Sequence, residues 1–383
     1  MWGGTPVVES CARKVDGMKT SRNSNFELLR IVAMLLITFC HFITWKYITS
    51  ANVPVRWLAN LLTDFGGLGD CLFFGITSWY MCAGKPTFKK SIRRVWQLEK
   101  QLWFYAIGSF AILFILQYVC GVYSFFASKS ELLKIWAESI LPVISGLWWY
   151  PTAYVLFVLV HPFINSCLQA AGERVHRGLV LVTFTIWGVI PFFPINMGLN
   201  VLLFIYQYVL LAYVRWYHDD LLKSRRIKSV LIAVGLGVGV GFDSLVSVAG
   251  ALVHWNHTYT YMNQAWSFPS LFTALGLLMW AYQRKERHSE TVNAIASATL
   301  APFVISMYAP TAHALKAVFD AFTDNMNSAQ GLVLNVGWVL LIFAIGIIFD
   351  FIRQALFKVT VNWNRYSCFE VFGTIFKVGV SRG

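Results

Sequence analysis

Arg30 and His41 stand 11 positions apart in the stretch NFELLRIVAMLLITFCHFITW. At about 100° per residue, that spacing returns to within about 20° of the same helix face. Glu27, Met34 and Thr38 lie between or beside them on this stripe. The two side chains offer different chemistry. A guanidinium matches phosphate or carboxylate oxygens in bidentate fashion, and an imidazole, with an ordinary pKa of about 6.5, exchanges protons near neutral pH. Plainer roles are open to both, because an arginine near a helix end can snorkel to headgroups and an inward histidine can be a hydrogen-bonded core residue.

The element that carries them is a membrane span. Phe26 to Trp45 gives about 20 mostly apolar positions, enough to cross a hydrocarbon core of about 30 Å. Arg30 falls in its first turns, and His41 lies about 16 Å further along, past the midpoint. Titratable groups at membrane depth are costly and usually face a bundle interior or a watery cavity, which makes both of them candidates for function.

The whole chain supports this frame. With 57% hydrophobic and 13% charged residues over 383 positions, the composition excludes an ordinary soluble protein. Its 16 tryptophans suit membrane interfaces. The net charge of +13 is spread in short clusters between apolar runs, so a lipid bilayer explains it better than nucleic acid. The seven cysteines show no C-x-x-C or paired-histidine spacing, and neither disulfides nor a metal site are expected.

Apolar runs of spanning length recur at about 26–45, 58–82, 101–120, 147–167, 178–194, 199–217, 229–253, 266–282, 293–319 and 331–351, which predicts an all-α, ten-span helical bundle. Only Lys46, Arg56, Lys129, Lys134 and Lys316 fall in alternate connections, leaving 26 of the 31 basic residues on the side of the N-terminus. That asymmetry predicts both termini in the cytoplasm, Arg30 toward the inner face and His41 toward the outer. The organisation reads as a polar tail (1–21), a transmembrane domain (22–357) and a second cytoplasmic tail (358–383). The longest outer connection, Gly121 to Gly146, holds a segment, Glu131 to Ile140, that reads equally as an amphipathic surface helix or a plain loop.

Other groups can join the chemistry. Asp70, in the glycine-rich stretch DFGGLGDCLFFGITSWYMCAG, reads as a partner for His41 or as a capping aspartate. The cluster KPTFKKSIRRVWQ, with Arg93 and Arg94, reads as a topology signal or as a site for a polyphosphorylated cytosolic ligand. Asp243 sits amid glycines in the seventh span, where an interhelical hydrogen bond or a proton or substrate site would explain it. Tyr308 and His313, flanked by Pro302 and Pro310, point to a broken helix lining a cavity. His161, His254 and His257 fall near predicted span ends and need no special role.

The stretch RNSNFELLRIVAMLLITFCHF resembles the opening of the acyltransferase family 3 membrane proteins, whose signature is Arg or Lys, ten residues, then His. Glu27 matches an acidic residue that the family often carries three positions before the basic one. GGLGDCLFFGITSWYM, SIRRVWQLEKQLWFY, LWWYPTAYVLFVLVHPFIN and IFDFIRQALF are similar to later segments of that family, so the likeness covers about residues 22–357. The chain departs from the pattern where Trp79 follows Ser78, and where Leu72 takes the position of the family's aspartate, with Asp70 two residues earlier.

The resemblance implies a membrane O-acyltransferase. Its donor would be cytosolic acyl-CoA, acetyl-CoA above all, and its acceptor a hydroxyl on a cell-envelope glycan or lipid-linked glycan. His41 would serve as general base with Glu27 and Asp70 in support, and Arg30, Arg93 and Arg94 would hold the CoA phosphates, with Ser78, Asp243 and Tyr308 as further candidates. A bacterial cytoplasmic membrane is the implied location. An exporter of an envelope glycan precursor is the alternative, since polar groups at membrane depth also line transport paths.

Overall fold

A computed structural model describes residues 22–189, 200–254 and 264–361, and these are helical and without strands. The helices are α1 (Ser24–Phe42), α2 (Trp45–Ile48), α3 (Val53–Cys82), α4 (Phe88–Tyr118), α5 (Lys129–Ile140), α6 (Trp149–Thr183), α7 (Asn200–Tyr217), α8 (Asp219–Lys223), α9 (Arg225–Leu252), α10 (Phe268–Gln283), α11 (Glu290–Ser297), α12 (Leu300–Ser306), α13 (Ala309–Phe322) and α14 (Ser328–Val359).

Among the described residues, five helical stretches are long and apolar enough to cross a membrane: Ser24–Phe42, Phe88–Tyr118, Trp149–Val189, Arg225–Leu252 and Ser328–Val359. A sixth arises if Glu290–Ser306 and Ala309–Phe322, bent by 81°, form one broken span. The expected spans 58–82, 199–217 and 266–282 form α3, α7 and α10, which carry more polar residues or fewer positions and are largely buried in the bundle. The chain is a multi-pass membrane protein.

Burial runs inside out relative to a soluble fold. On α9 the buried residues are Gly235, Gly239, Asp243, Ser247, Gly250 and Ala251, while Leu245 and Leu252 are exposed. Small and polar side chains face neighbouring helices and large apolar ones face outward, as lipid requires.

α6 is interrupted at Gly172, where φ is 75° and ψ is 173°. Only glycine takes that conformation readily. Asn165 and His176, on either side of the break, reach Tyr208 (2.6 Å) and Val209 O (2.9 Å), adjacent residues of α7. In one straight helix those two would stand about 16 Å apart. The helix is therefore kinked at Gly172, between the expected runs 147–167 and 178–194.

The segment left open between loop and helix is α5. Ser128 caps it by accepting from Glu131 N, and Trp103 of α4 donates to Ile140 O at 3.0 Å. Trp103 lies 15 residues before Tyr118, so the end of α5 meets α4 about 22 Å back from the C-terminus of that helix.

Hydrogen bonds sort the connections by the end of α1 they touch. At its start, Ser24 N donates to Arg287 O (2.9 Å), Asn25 Nδ2 to Lys285 O (3.0 Å) and Ser24 Oγ to Asn293 Oδ1 (2.9 Å). Beyond its other end, Thr44 N donates to Asn335 Oδ1 (2.8 Å) and Lys46 Nζ to Thr323 Oγ1 (2.8 Å). Each group joins connections that the charge asymmetry assigns to one side.

Candidate active site

α1 and α3 pack closely and antiparallel. A Cβ on Gly69 would lie 2.7 Å from Ala33 O and 2.9 Å from Ile37 Cγ1, and one on Gly66 would overlap Cys40. The glycines thus bring α3 against the stripe of α1 that holds Arg30 and His41. Asp70, next to Gly69, lies mid-helix on α3, whose cap is Asn52. The capping reading of Asp70 is therefore excluded.

Arg30 Nη1 pairs with the buried Glu27 Oε2 at 3.3 Å, and its Cζ sits 6.0 Å from the centre of the Phe73 ring. Further along α1, the His41 ring lies 5.9 Å from that of Phe303 on α12. Phe73 and Phe303 are walls of one cleft. Its other walls are Met34 and Ile37, which stand between Arg30 and His41 on α1, together with Asp70, Tyr150 and Leu300. The arrangement puts a guanidinium beside one wall of a largely apolar slot and an imidazole beside another, with a carboxyl group among the lining. Glu27 serves the arginine end; it does not reach the histidine.

Asp70 lines the cleft while His41 packs behind another of its walls, Phe303, and no hydrogen bond joins the two. It lies within electrostatic reach of Tyr150 and Cys40. Lys316 of α13 lies within the same kind of reach of His41. Arg94 is exposed at the first turns of α4, yet it and Arg30 both act through space on Tyr154 of α6. Arg93, its neighbour, is exposed as well.

Three further candidates lie away from the slot. Ser78 is fully buried, one turn beyond Phe74, which stacks on Phe204 of α7 at 4.1 Å. Asp243 is buried in α9, where Trp57 of α3 donates to the adjacent Ser244 at 2.8 Å, so it belongs to the α3–α9 contact. Tyr308 caps α13 at the break the two prolines predicted, and its hydroxyl meets Ser139 Oγ of α5 at 2.8 Å. The broken helix does line the cavity, through Leu300 and Phe303 on α12.

Of the remaining histidines, His313 and His254 are exposed and His257 lies outside the described residues. His161 differs from a span-end reading, since it is 1% exposed and packs edge-on against Tyr208 at 4.8 Å.

The acyltransferase domain family matches residues 23–353, most of the chain, from α1 into the last turns of α14. The chain belongs to acyltransferase family 3. In this membrane acyltransferase Met34 and Ile37, between Arg30 and His41 on α1, form part of the cleft wall. No curated protein and no solved structure matches it.

The sequence did not single out Tyr150, Leu300 or Phe303. A signal for the first existed: Tyr150, Tyr154, Phe157 and His161 repeat the i, i+4, i+7, i+11 spacing of Arg30, Met34, Ile37 and His41, so α6 presents a second stripe of polar and aromatic groups.

Proposed function

We propose that this acyltransferase moves an acetyl or similarly short acyl group from cytosolic acyl-CoA to a hydroxyl of an extracytoplasmic polysaccharide or lipid-linked glycan. The observation that carries the reading is the cleft walled by Phe73 and Phe303, with Arg30 at the first and His41 at the second. In this reading the chain makes ten spans with both termini in the cytoplasm of a bacterial cell, and Arg30 belongs to the cytoplasmic half.

Arg30, with Arg93 and Arg94, holds the CoA phosphates by charge-assisted hydrogen bonds. Glu27 fixes the guanidinium. The pantetheine arm then runs along Met34 and Ile37, and the thioester arrives near His41. The imidazole takes the proton of the sugar hydroxyl as its oxygen attacks the thioester carbonyl carbon. The carbonyl electron pair moves onto oxygen, then returns as the carbon–sulfur bond breaks, and the thiolate recovers the proton from the imidazolium. General-base help of this kind contributes about 10²–10⁴ in rate.

The test is His41→Ala in cells that depend on this protein for surface acylation. Loss of labelled acyl groups from the glycan, with unmodified glycan still exported, supports the reading. Loss of export itself indicates a transporter.

A further inference from the structure

Tyr150 stands at the first turns of α6 and lines the cleft opposite Met34 and Ile37. Its ring is held edge-on by three aromatic neighbours: Phe73 at 5.7 Å, Phe204 at 5.0 Å and Trp149 at 5.4 Å. Only 8% of the residue is exposed, and its hydroxyl has no hydrogen-bond partner among the described residues. Leaving a buried hydroxyl unmet costs stability, and a phenylalanine would pack in the same place without that cost. A rigid donor left unused in the wall of a cleft is what an incoming acceptor atom requires.

We propose that the Tyr150 hydroxyl donates a hydrogen bond to the acyl carbonyl oxygen and stabilises the negative charge that develops there during transfer. The proposal rests on the acyltransferase reading above and adds to it a second group touching the reacting atoms. When the acceptor oxygen adds to the carbonyl carbon, the displaced electron pair settles on the carbonyl oxygen facing Tyr150. The phenol keeps its proton throughout. When the carbon–oxygen double bond re-forms, the sulfur departs as thiolate and the hydrogen bond weakens. The edge-on neighbours keep the ring from turning away as the charge appears, so no reorganisation is needed at that moment.

The experiment compares Tyr150→Phe, His41→Ala and the unaltered chain in isolated membranes supplied with labelled acetyl-CoA, following label into the membrane glycan. Tyr150→Phe is expected to lower kcat by about 10²–10³-fold, the usual effect of removing one such donor, with KM for acetyl-CoA changed less than about threefold. Its melting temperature should equal or exceed that of the unaltered chain, which a merely structural tyrosine would not show. Fluorinated tyrosines at position 150, of the same shape and greater acidity, should change kcat without changing melting. Wild-type kcat in Tyr150→Phe alongside an inactive His41→Ala overturns the Tyr150 proposal and leaves the transfer reading standing. A loss of melting temperature and of acetyl-CoA affinity together also overturns it. Wild-type transfer in His41→Ala overturns the underlying reading instead.

Discussion

Arg30 and Glu27 form the tightest coupling in the site. The Glu27 side chain is 4% exposed and pairs with Arg30 at 3.3 Å. Removing the arginine does two things at once. In the proposed function it takes away a charge-assisted contact to a donor phosphate, worth about 1.5–3 kcal/mol, so Arg30→Ala should raise KM for acetyl-CoA about 10- to 150-fold. It also strands a buried carboxylate, a defect that costs about 3–5 kcal/mol when the group stays ionised. Thermal unfolding in detergent should therefore show Arg30→Ala well below the parent, and Glu27→Gln in the same chain should recover part of the loss without restoring KM. Both residues were legible in the sequence, because a charge inside an apolar run stands out against its neighbours. Tyr150 was not, since 16% of the chain is aromatic and one more ring carries no signal until its neighbours are known.

The α1–α3 contact decides whether the cleft exists. Gly69→Val would drive side-chain atoms into Ala33 O and Ile37, at a cost of about 1–3 kcal/mol or more, and should abolish transfer by moving Asp70 and Phe73 off α1. Gly237→Ala, on α9 with nothing within 4 Å of the added carbon, should leave melting and transfer near the parent values. The elements themselves were readable from apolar length, and the α12–α13 break from Pro302 and Pro310. Gly172 lay unnoticed between two expected spans. What a helix touches was less readable, because packing in lipid depends on small residues, and glycines are scattered through the chain. Asp70 shows the difference: its type was noticed, but the choice between cap and cleft awaited the start of α3 at Val53.

Across the whole molecule, a buried network ties α4 to α14. Tyr105 donates to Asp350, while Arg353 Nε reaches Asp350 Oδ1 at 2.7 Å and Gln354 Nε2 reaches Asp350 Oδ2 at 2.6 Å. In the sequence, Arg353 and Asp350 stand within the family-like segment IFDFIRQALF, and Arg353 counts as a charge for topology. Asp350→Leu leaves the Arg353 guanidinium buried and unpaired, so unfolding should shift down by about 3–5 kcal/mol, with KM for acetyl-CoA unchanged in protein that remains folded. Sidedness is open to a separate check. Cysteines placed at Glu286 and Asp324 should be labelled by an impermeant reagent from opposite faces of the membrane, the first only from the cytoplasmic side. Labelling of both from one face would contradict the charge-based orientation.

In the proposed function one helix spans the acyl group's path, with the donor at Arg30 and the acceptor at His41. Inside-out membrane vesicles given labelled acetyl-CoA in the external medium test it directly. Label should enter glycan in the vesicle lumen in the parent and be lost in His41→Ala, while Arg30→Ala recovers transfer as acetyl-CoA is raised. Transfer at the parent rate in His41→Ala, or label appearing only when acetyl-CoA is loaded on the luminal side, would contradict it.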